Sequence, residues 1–274
     1  MTAMEADAGL PEVLRVHDDQ RVRLLTFNRP DVLNAFDRAL YGAATAGLAD
    51  AAADDSVGAV VLTGAGRAFS SGQDLGEMMG LAAQVSARRD ATGDGTAPDG
   101  DGSAVSAFPA FVDALQDFPK PLLAAVNGLG LGIGFTMLAH CDLVLVAEGT
   151  RMKTPFTELG VAPEAGSSYL FPQRMGWQRA ARVLLSSGWV GAQELVDCGL
   201  ALEVVPADEV VERTMALART IAAQPLPSLM ATKRLMLDGQ RSAVARARAL
   251  EDEAFAQLLG GGENAAALQA FTDR

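Results

Sequence analysis

The stretch from Lys120 to Ser168 constrains the fold of this chain more than any other. It begins with a short apolar run, Leu122 to Val126, which is typical of a buried strand. Glycine then occupies every second position from Gly128 to Gly134, a pattern that permits unusual backbone angles and close approach of a ligand or another backbone. An apolar segment that predicts a buried helix follows. A strand, a glycine-rich loop and a helix N-terminus direct free N–H groups at one point, so we predict an anion site, which in an enzyme is an oxyanion hole.

Length and composition indicate a soluble globular protein. The 274 residues allow one domain with a sizeable core, and 49% hydrophobic with 20% charged residues is ordinary for that class. A net charge of −12 argues against non-specific binding to nucleic acid or to an anionic membrane. We expect neither a signal peptide nor a membrane span. Cys141 and Cys198 lack metal-site spacing and fit a reducing compartment, so we expect a cytoplasmic protein.

The remaining periodicity predicts strand–strand–helix units followed by a helical C-terminal region. A hairpin is expected within residues 13–27, a helix after Asp37, and a strongly apolar strand over Val57 to Thr63. From residue 207 onward the pattern is helical, with helices expected at about 207–223, 225–239, 241–259 and 263–272. We therefore predict an α/β core over residues 1–205 and a helical C-terminal region over residues 206–274.

Residues 86–107 differ in composition from the rest of the core. They are acidic, rich in glycine and poor in apolar residues, which predicts a mobile loop. A calcium-binding loop that starts at Asp99 needs glycine at its sixth position and glutamate at its twelfth. The chain has Ala104 and Ala110 there, so no metal site is predicted.

Three motifs indicate a known family. They are L-T-F-N-R-P-D-V-L-N-A-F at residues 25–36, R-A-F-S-S-G-Q-D-L at residues 67–75, and the glycine-rich segment at residues 124–143. Together they resemble the crotonase superfamily of enoyl-CoA hydratases and isomerases, over most of the chain.

The resemblance has implications for fold, substrate and assembly. It implies an α/β fold of the crotonase/ClpP-like type, a spiral of repeated ββα units with an all-helical C-terminal region that takes part in trimerisation and CoA binding. It also implies an acyl-CoA thioester substrate and a homotrimer, or a hexamer made of two trimers. No separate cofactor is implied, because coenzyme A is part of the substrate.

The family's shared device is a pair of backbone N–H groups that hold the thioester oxygen. By the resemblance, the first donor is the residue between Gly72 and Asp74, which is Gln73, and the second, in the glycine-rich loop, is Ile133. Removing a proton beside a thioester places negative charge on its oxygen, and one fixed N–H donor stabilises such charge by about 3 kcal/mol. Side-chain identity matters little for a backbone donor.

The acid–base residues distinguish the reactions within the family. Typical hydratases carry two glutamates, and their positions fall on Thr136 and Phe156 in this chain. Glu164, in the segment V-A-P-E-A-G-S-S, matches instead the single catalytic glutamate of the peroxisomal-type Δ3,Δ2-enoyl-CoA isomerase branch. One carboxylate suffices to move a proton from C2 to C4, whereas hydration needs a base and an acid. Glu164 as a helix cap, and Glu158 as the base, are the alternatives.

The resemblance also suggests residues that contact the substrate. Those expected at coenzyme A are Arg29, Ala68, Ser70, Gly72, Asp74, Leu75 and Lys233, of which Lys233 has an ordinary surface lysine as its alternative. Those expected to line an acyl pocket are Phe135, Thr136 and Phe156, although apolar residues there also suit a plain core.

Other functions remain open or are excluded by motif. The chain lacks the G-x-G-x-x-G spacing of dinucleotide-binding proteins and the G-x-S-x-G segment of serine hydrolases. Isomerisation of 3-enoyl-CoA is the favoured activity. Hydration of 2-enoyl-CoA, another acyl-CoA lyase reaction, or binding without catalysis are the alternatives, because fold and function separate easily.

Overall fold

The structure, a computed structural model, describes residues 13–92 and 104–272. Its strands are β1 (Leu14–Asp19), β2 (Val22–Phe27), β3 (Ala59–Gly64), β4 (Ala68–Ser70), β5 (Leu122–Val126), β6 (Leu129–Leu131), β7 (Leu143–Ala147), β8 (Arg151–Lys153), β9 (Val190–Gly191) and β10 (Glu203–Val205). Its helices are α1 (Arg38–Ala53), α2 (Leu75–Thr92), α3 (Ala104–Gln116), α4 (Ile133–Thr136), α5 (Ser167–Met175), α6 (Trp177–Ser186), α7 (Ala192–Asp197), α8 (Val210–Ala222), α9 (Leu226–Asp238), α10 (Arg241–Leu258) and α11 (Gly262–Thr272).

The larger sheet collects the first strand of each unit. Its order is β1-β2-β3-β5-β7-β10. β1 and β2 form an antiparallel hairpin that turns at Gln20 and Arg21, both in the left-handed region, and the other neighbouring strands are parallel. β3 and β5 are buried along their whole length, which explains their continuous apolar sequences.

The smaller sheet collects the second strand of the units. Its order is β4-β6-β8-β9, with β4, β6 and β8 parallel and β9 antiparallel to β8. β3, β4 and α2 form one unit, β5, β6 and α4 the next, and β7, β8 and α5 the third. The predicted succession of strand–strand–helix units is confirmed.

The loop after β5 needs glycine because the backbone at and just before β4 lies directly against it. A Cβ atom at Gly128 would lie 2.3 Å from the carbonyl oxygen of Arg67, and one at Gly134 would lie 2.5 Å from that of Ser70. No side chain fits at either position. The close approach expected from the sequence is therefore an approach of another backbone.

The helical C-terminal region packs on the core and is not separate from it. Its helices agree with the predicted ones to within about three residues at each end. The face of α8 that carries Ala218 and Ala222 covers apolar residues of β2, β3 and β5, and α10 packs against α5. The C-terminal region thereby reaches the part of the core where Glu164 lies.

The structure corrects both ends of the loop predicted over residues 86–107, because they are helical. α2 continues to Thr92 and α3 begins at Ala104, while residues 93–103 lie outside the described part of the chain. The second half of α2 is ordered by tertiary contacts. Val85 is buried, and Arg89 donates to the carbonyl oxygens of Ala256 and Gln257 near the end of α10. The composition of the segment does not reveal these contacts, because the partners lie far away in sequence.

Large apolar side chains lie exposed on the C-terminal helices, among them Leu235 and Met236 on α9 and Leu250 on α10. The predicted trimer or hexamer stays a prediction, as does the role of residues 206–274 in assembly and CoA binding. Within the described ranges, no helix is long and apolar enough to cross a membrane.

Candidate active site

A cavity of about 350 Å³ lies between the two oxyanion segments expected from the sequence and the C-terminal region. This volume is within the usual range for small-molecule sites. The cavity brings together seven residues predicted to act in catalysis or substrate binding, which are Gly72, Gln73, Asp74, Leu75, Ile133, Phe156 and Glu164.

The N–H of Gln73 is directed away from its neighbouring strand. Gln73 forms an isolated parallel bridge with Phe36, in which Phe36 donates to the carbonyl oxygen of Gly72 at 2.7 Å and accepts from the N–H of Asp74 at 2.9 Å. In a parallel bridge of this kind the middle residue directs its own N–H to the other side. Since Gln73 also lines the cavity, its N–H is available to a bound group.

The N–H of Ile133 is free for a geometric reason. Ile133 is the first residue of α4, and the first N–H groups of a helix have no acceptor within the helix. Gly132 before it has φ of +49°, a left-handed angle that glycine adopts readily. A Cβ atom at Gly72 would lie 2.7 Å from the carbonyl oxygen of Leu131, so the two donor segments are in contact.

Glu164 lies beside the glycine-rich loop. A Cβ atom at Gly132 would lie 3.7 Å from Oε1 of Glu164, which places the carboxylate next to the residue that precedes the Ile133 N–H. Glu164 is partly buried in the cavity wall. Burial raises its pKa to about 8, and the negative charge of Glu251 contributes to the increase. A carboxylate with such a pKa is able to accept and return a proton near neutral pH.

The raised pKa of Glu164 makes a prediction about stability. Because the native pKa of about 8 lies above the ordinary 4.5, this contribution to stability is complete below about pH 4.5 and is lost as pH rises through about 8. Between about pH 5 and pH 9, wild type should lose on the order of 4 kcal/mol relative to Glu164→Gln. Urea unfolding at both pH values measures this difference, and a difference independent of pH would contradict the raised pKa.

Arg29 and Asp74 form part of the frame around the cavity. Asp74 accepts from the N–H of Gly76 at 3.0 Å at the start of α2. Arg29 lies near the carboxylates of Asp37, at 3.0 Å, and Asp74, at 3.6 Å, and donates to a backbone carbonyl oxygen. Arg29 is not among the residues that line the cavity. Its guanidinium links Asp37 and Asp74 beside the cavity, which differs from the predicted contact with coenzyme A.

Ala68 and Ser70 are buried in β4 and do not line the cavity. The hydroxyl of Ser70 donates to the carbonyl oxygen of Asn34 at 2.9 Å and accepts from the N–H of Gly72 at 3.1 Å. Their predicted contact with coenzyme A therefore lies outside this cavity and stays a prediction. Ser70 instead fixes the backbone that leads into Gln73.

The structure also corrects the predicted contact of Lys233 with coenzyme A. Its side chain is only 7% exposed, and its ammonium lies 2.7 Å from the carboxylate of Asp142 and donates to the carbonyl oxygen of Lys120. A buried ammonium already paired with a carboxylate is not free to hold a phosphate. The burial arises because Lys233 on α9 meets Lys120 and Asp142, which lie just before β5 and β7, and no local pattern predicted this.

The structure also corrects the predicted acyl-pocket role of Phe135 and Thr136. Both are buried, and neither is among the residues that line the cavity. The ring of Phe135 packs against that of Phe171 at a centroid distance of 5.0 Å. Each step along a helix turns the side chain by about 100°, so the residues after Ile133 point into the core. Of the three predicted acyl-pocket residues, Phe156 alone lines the cavity.

Several cavity residues were not predicted. Leu159, Val161 and Phe255 provide apolar wall, and Phe255 comes from α10. Glu251, also on α10, is buried and accepts hydrogen bonds from the turn after Glu164. Its spacing of seven residues from the buried Val244 was the available signal, because it places both on one helix face.

The two-sheet spiral of ββα units, with a cavity walled by its glycine-rich loop and its C-terminal helices, defines a protein of the crotonase fold. The family model described as enoyl-CoA hydratase/isomerase matches residues 17–274, and the chain belongs to that family. It is therefore an enzyme of the enoyl-CoA hydratase/isomerase type.

Relatives of both reaction types resemble the chain. The 2,3-dehydroadipyl-CoA hydratase of Escherichia coli K12 is 33% identical over 95% of this chain and 96% of its own length. The peroxisomal enoyl-CoA delta isomerase 3 of Mus musculus is 36% identical over 70% of this chain and 56% of its own length. The crystal structure of an enoyl-CoA hydratase/isomerase from Pseudoalteromonas atlantica T6c is 31% identical, with a TM-score of 0.83 over 95% of this chain and 97% of the other.

Proposed function

We propose that this protein isomerises 3-enoyl-CoA to 2-trans-enoyl-CoA, with Glu164 as the single proton-transfer group. One observation carries the proposal. Among the described residues that line the cavity, the carboxylates are Asp74 and Glu164, and Asp74 is engaged by the start of α2 and by Arg29. Isomerisation needs one such group, whereas hydration needs a base for water and an acid for the α-carbon.

The hydratase positions support the same conclusion. Thr136 is buried, and within the described residues its hydroxyl has no hydrogen-bond partner. Phe156 presents an apolar ring to the cavity. Neither side chain is able to activate water or to protonate carbon at neutral pH.

The reaction balances with one base and no other reagent. The carboxylate of Glu164 takes a proton from C2 of the 3-enoyl thioester, and the electron pair moves into a dienolate whose charge rests on the thioester oxygen. That oxygen accepts hydrogen bonds from the N–H groups of Gln73 and Ile133. Glu164 then gives the proton to C4, and the double bond stands between C2 and C3.

The cavity wall favours an uncharged acyl chain. Phe156, Leu159, Val161 and Phe255 are apolar, and the lining residues within the described ranges include no lysine or arginine. A terminal carboxylate on the acyl chain would be desolvated there without a positive partner, which is costly. Gly72, Asp74 and Leu75 line the same cavity and remain the proposed contacts to coenzyme A.

A direct assay with 3-enoyl-CoA and 2-enoyl-CoA substrates, side by side, tests the proposal. We expect isomerisation to exceed hydration by about 10²-fold or more, the usual worth of one acid–base group. Efficient hydration with negligible isomerisation would overturn the proposal in favour of a hydratase. Tight binding of acyl-CoA without turnover of either substrate would indicate a non-catalytic member of the family.

A further inference from the structure

The turn that follows Glu164 has an unusual backbone. Ala165 has φ of +59° and Gly166 has φ of +73°, so two successive residues are left-handed. For alanine this conformation costs roughly 1–2 kcal/mol. Such a turn persists only where its surroundings hold it, and its shape decides where the Glu164 carboxylate points.

Glu251 binds this turn from α10. Its Oε2 accepts from the N–H of Gly166 at 2.7 Å, and its Oε1 accepts from the N–H of Ser168 at 2.8 Å. The side chain is buried, with the residue only 5% exposed. A carboxylate that accepts two N–H groups is a strong and directional contact.

His140 holds the same turn from the other side. Its Nε2 lies 2.8 Å from the carbonyl oxygen of Ala165 and donates to it. Burial lowers the pKa of His140 to about 4, so the ring is neutral near neutral pH. The backbone of Ala165 and Gly166 is therefore held between the neutral imidazole of His140 and the buried carboxyl group of Glu251.

We propose that Glu251 is a positioning residue for the reaction, which fixes the turn that carries Glu164 and places a negative charge beside that carboxylate. The proposal rests on the proposed role of Glu164 as the base. Glu251 itself is not among the described residues that line the cavity. It acts through Gly166 and Ser168 and through its charge.

The charge of Glu251 has a definite direction of effect. A second carboxylate near Glu164 disfavours ionisation of Glu164, as does burial. Burial also raises the pKa of Glu251 itself, and its hydrogen bonds from the turn oppose that increase. The other charged or titratable groups around the turn are Tyr41 on α1, His140 before β7, Arg174 on α5, Lys233 on α9, and Arg248 and Asp252 on α10. Arg248 is itself paired with Asp113 at 2.7 Å, which limits how far it neutralises Glu251.

Glu251→Gln tests the proposal because glutamine keeps the size and removes the charge. Its amide nitrogen also faces an N–H, so one of the two hydrogen bonds is lost. We expect the titration midpoint of the Glu164 carboxyl, followed by ¹³C NMR and assigned with Glu164→Gln, to move to lower pH. Above that midpoint we expect kcat for 3-enoyl-CoA to fall roughly 10–100-fold, as for a misplaced reacting group, with KM within about threefold.

Glu253→Gln is the matched control. Glu253 lies on the same helix, is exposed and bonds only to Gln257 among the contacts described, so its replacement should change neither quantity. If Glu251→Gln is too unstable to measure, Glu251→Asp shortens the side chain by one methylene and should lower kcat in the same way. An unchanged midpoint, or an unchanged kcat, in Glu251→Gln would overturn the proposal.

The NMR titration and the kinetic assay distinguish failure of the proposed role of Glu251 from failure of the proposed isomerase function. The NMR titration requires no substrate, so it tests the influence of Glu251 on Glu164 even if wild type fails to isomerise 3-enoyl-CoA. Absence of isomerisation by wild type would instead contradict the proposed function.

Discussion

Glu164→Gln should lower kcat for isomerisation of 3-enoyl-CoA roughly 10²–10⁴-fold or more, while acyl-CoA affinity stays nearly unchanged. Glutamine keeps the shape and the hydrogen-bonding reach of the side chain but is unable to accept the proton from C2. The N–H groups of Gln73 and Ile133 do not depend on this residue, so thioester binding should persist. Steady-state kinetics together with equilibrium binding of a saturated acyl-CoA measure both effects.

Glu158→Gln provides the matched control for this experiment. Glu158 is also a glutamate near the cavity, but its carboxylate pairs with Lys153, so its replacement should change kcat by only a few-fold, as expected for a partly exposed ion pair. Retention of more than about a tenth of the wild-type kcat by Glu164→Gln, far above the expected loss, would place the base elsewhere. Glu158 would then be the next candidate.

Ile133→Pro should lower kcat roughly 10²–10³-fold, because it removes one of the two proposed oxyanion donors. Proline is well tolerated at the first position of a helix, where the N–H has no acceptor within the helix. Ile133 occupies that position in α4, so the substitution deletes the donor with little effect on the helix. Kinetics on the folded variant, checked by circular dichroism and thermal unfolding, measure the loss.

Ile133→Val is the control, since it keeps the N–H and removes one methylene from a buried side chain at a cost of about 1 kcal/mol in stability. Its kcat should stay within a few-fold of wild type. If Ile133→Pro and Ile133→Val have similar kcat values, the Ile133 N–H does not stabilise the transition state, and the second donor has to be sought elsewhere in the glycine-rich loop.

Local pattern was sufficient where one segment fixes its own geometry. The apolar run at Leu122 to Val126 forms a buried strand, and the alternate glycines from Gly128 to Gly134 lie where backbones touch. Gln73, Ile133 and Glu164, inferred from motif resemblance, line one cavity. The strand follows from its local apolar run. The glycines mark the close approach without naming its partners, which are Arg67 and Ser70, and the three site residues came from the motifs of the family.

Pattern was insufficient where the partner is distant in sequence. Lys233 is buried because Asp142 meets it across 91 positions of the chain, and the end of α2 is ordered because Arg89 reaches carbonyl groups near the end of α10. The acyl-pocket prediction for Phe135 was wrong for another reason. Phe135 is adjacent to correctly placed residues, but the helical rotation after Ile133 turns it into the core.

The bond between Glu251 and the turn after Glu164 also affects the order in which the enzyme matures. Gly166 and Glu251 are 85 positions apart, and the proposed donors Gln73 and Ile133 both precede Gly166. During synthesis the ribosome therefore releases the donors and the base well before the side chain that holds the base in place. A chain that ends before α10 would carry Gln73, Ile133 and Glu164 without the side chain that holds the turn after Glu164, so we expect full activity only after α10 has been synthesised and has packed.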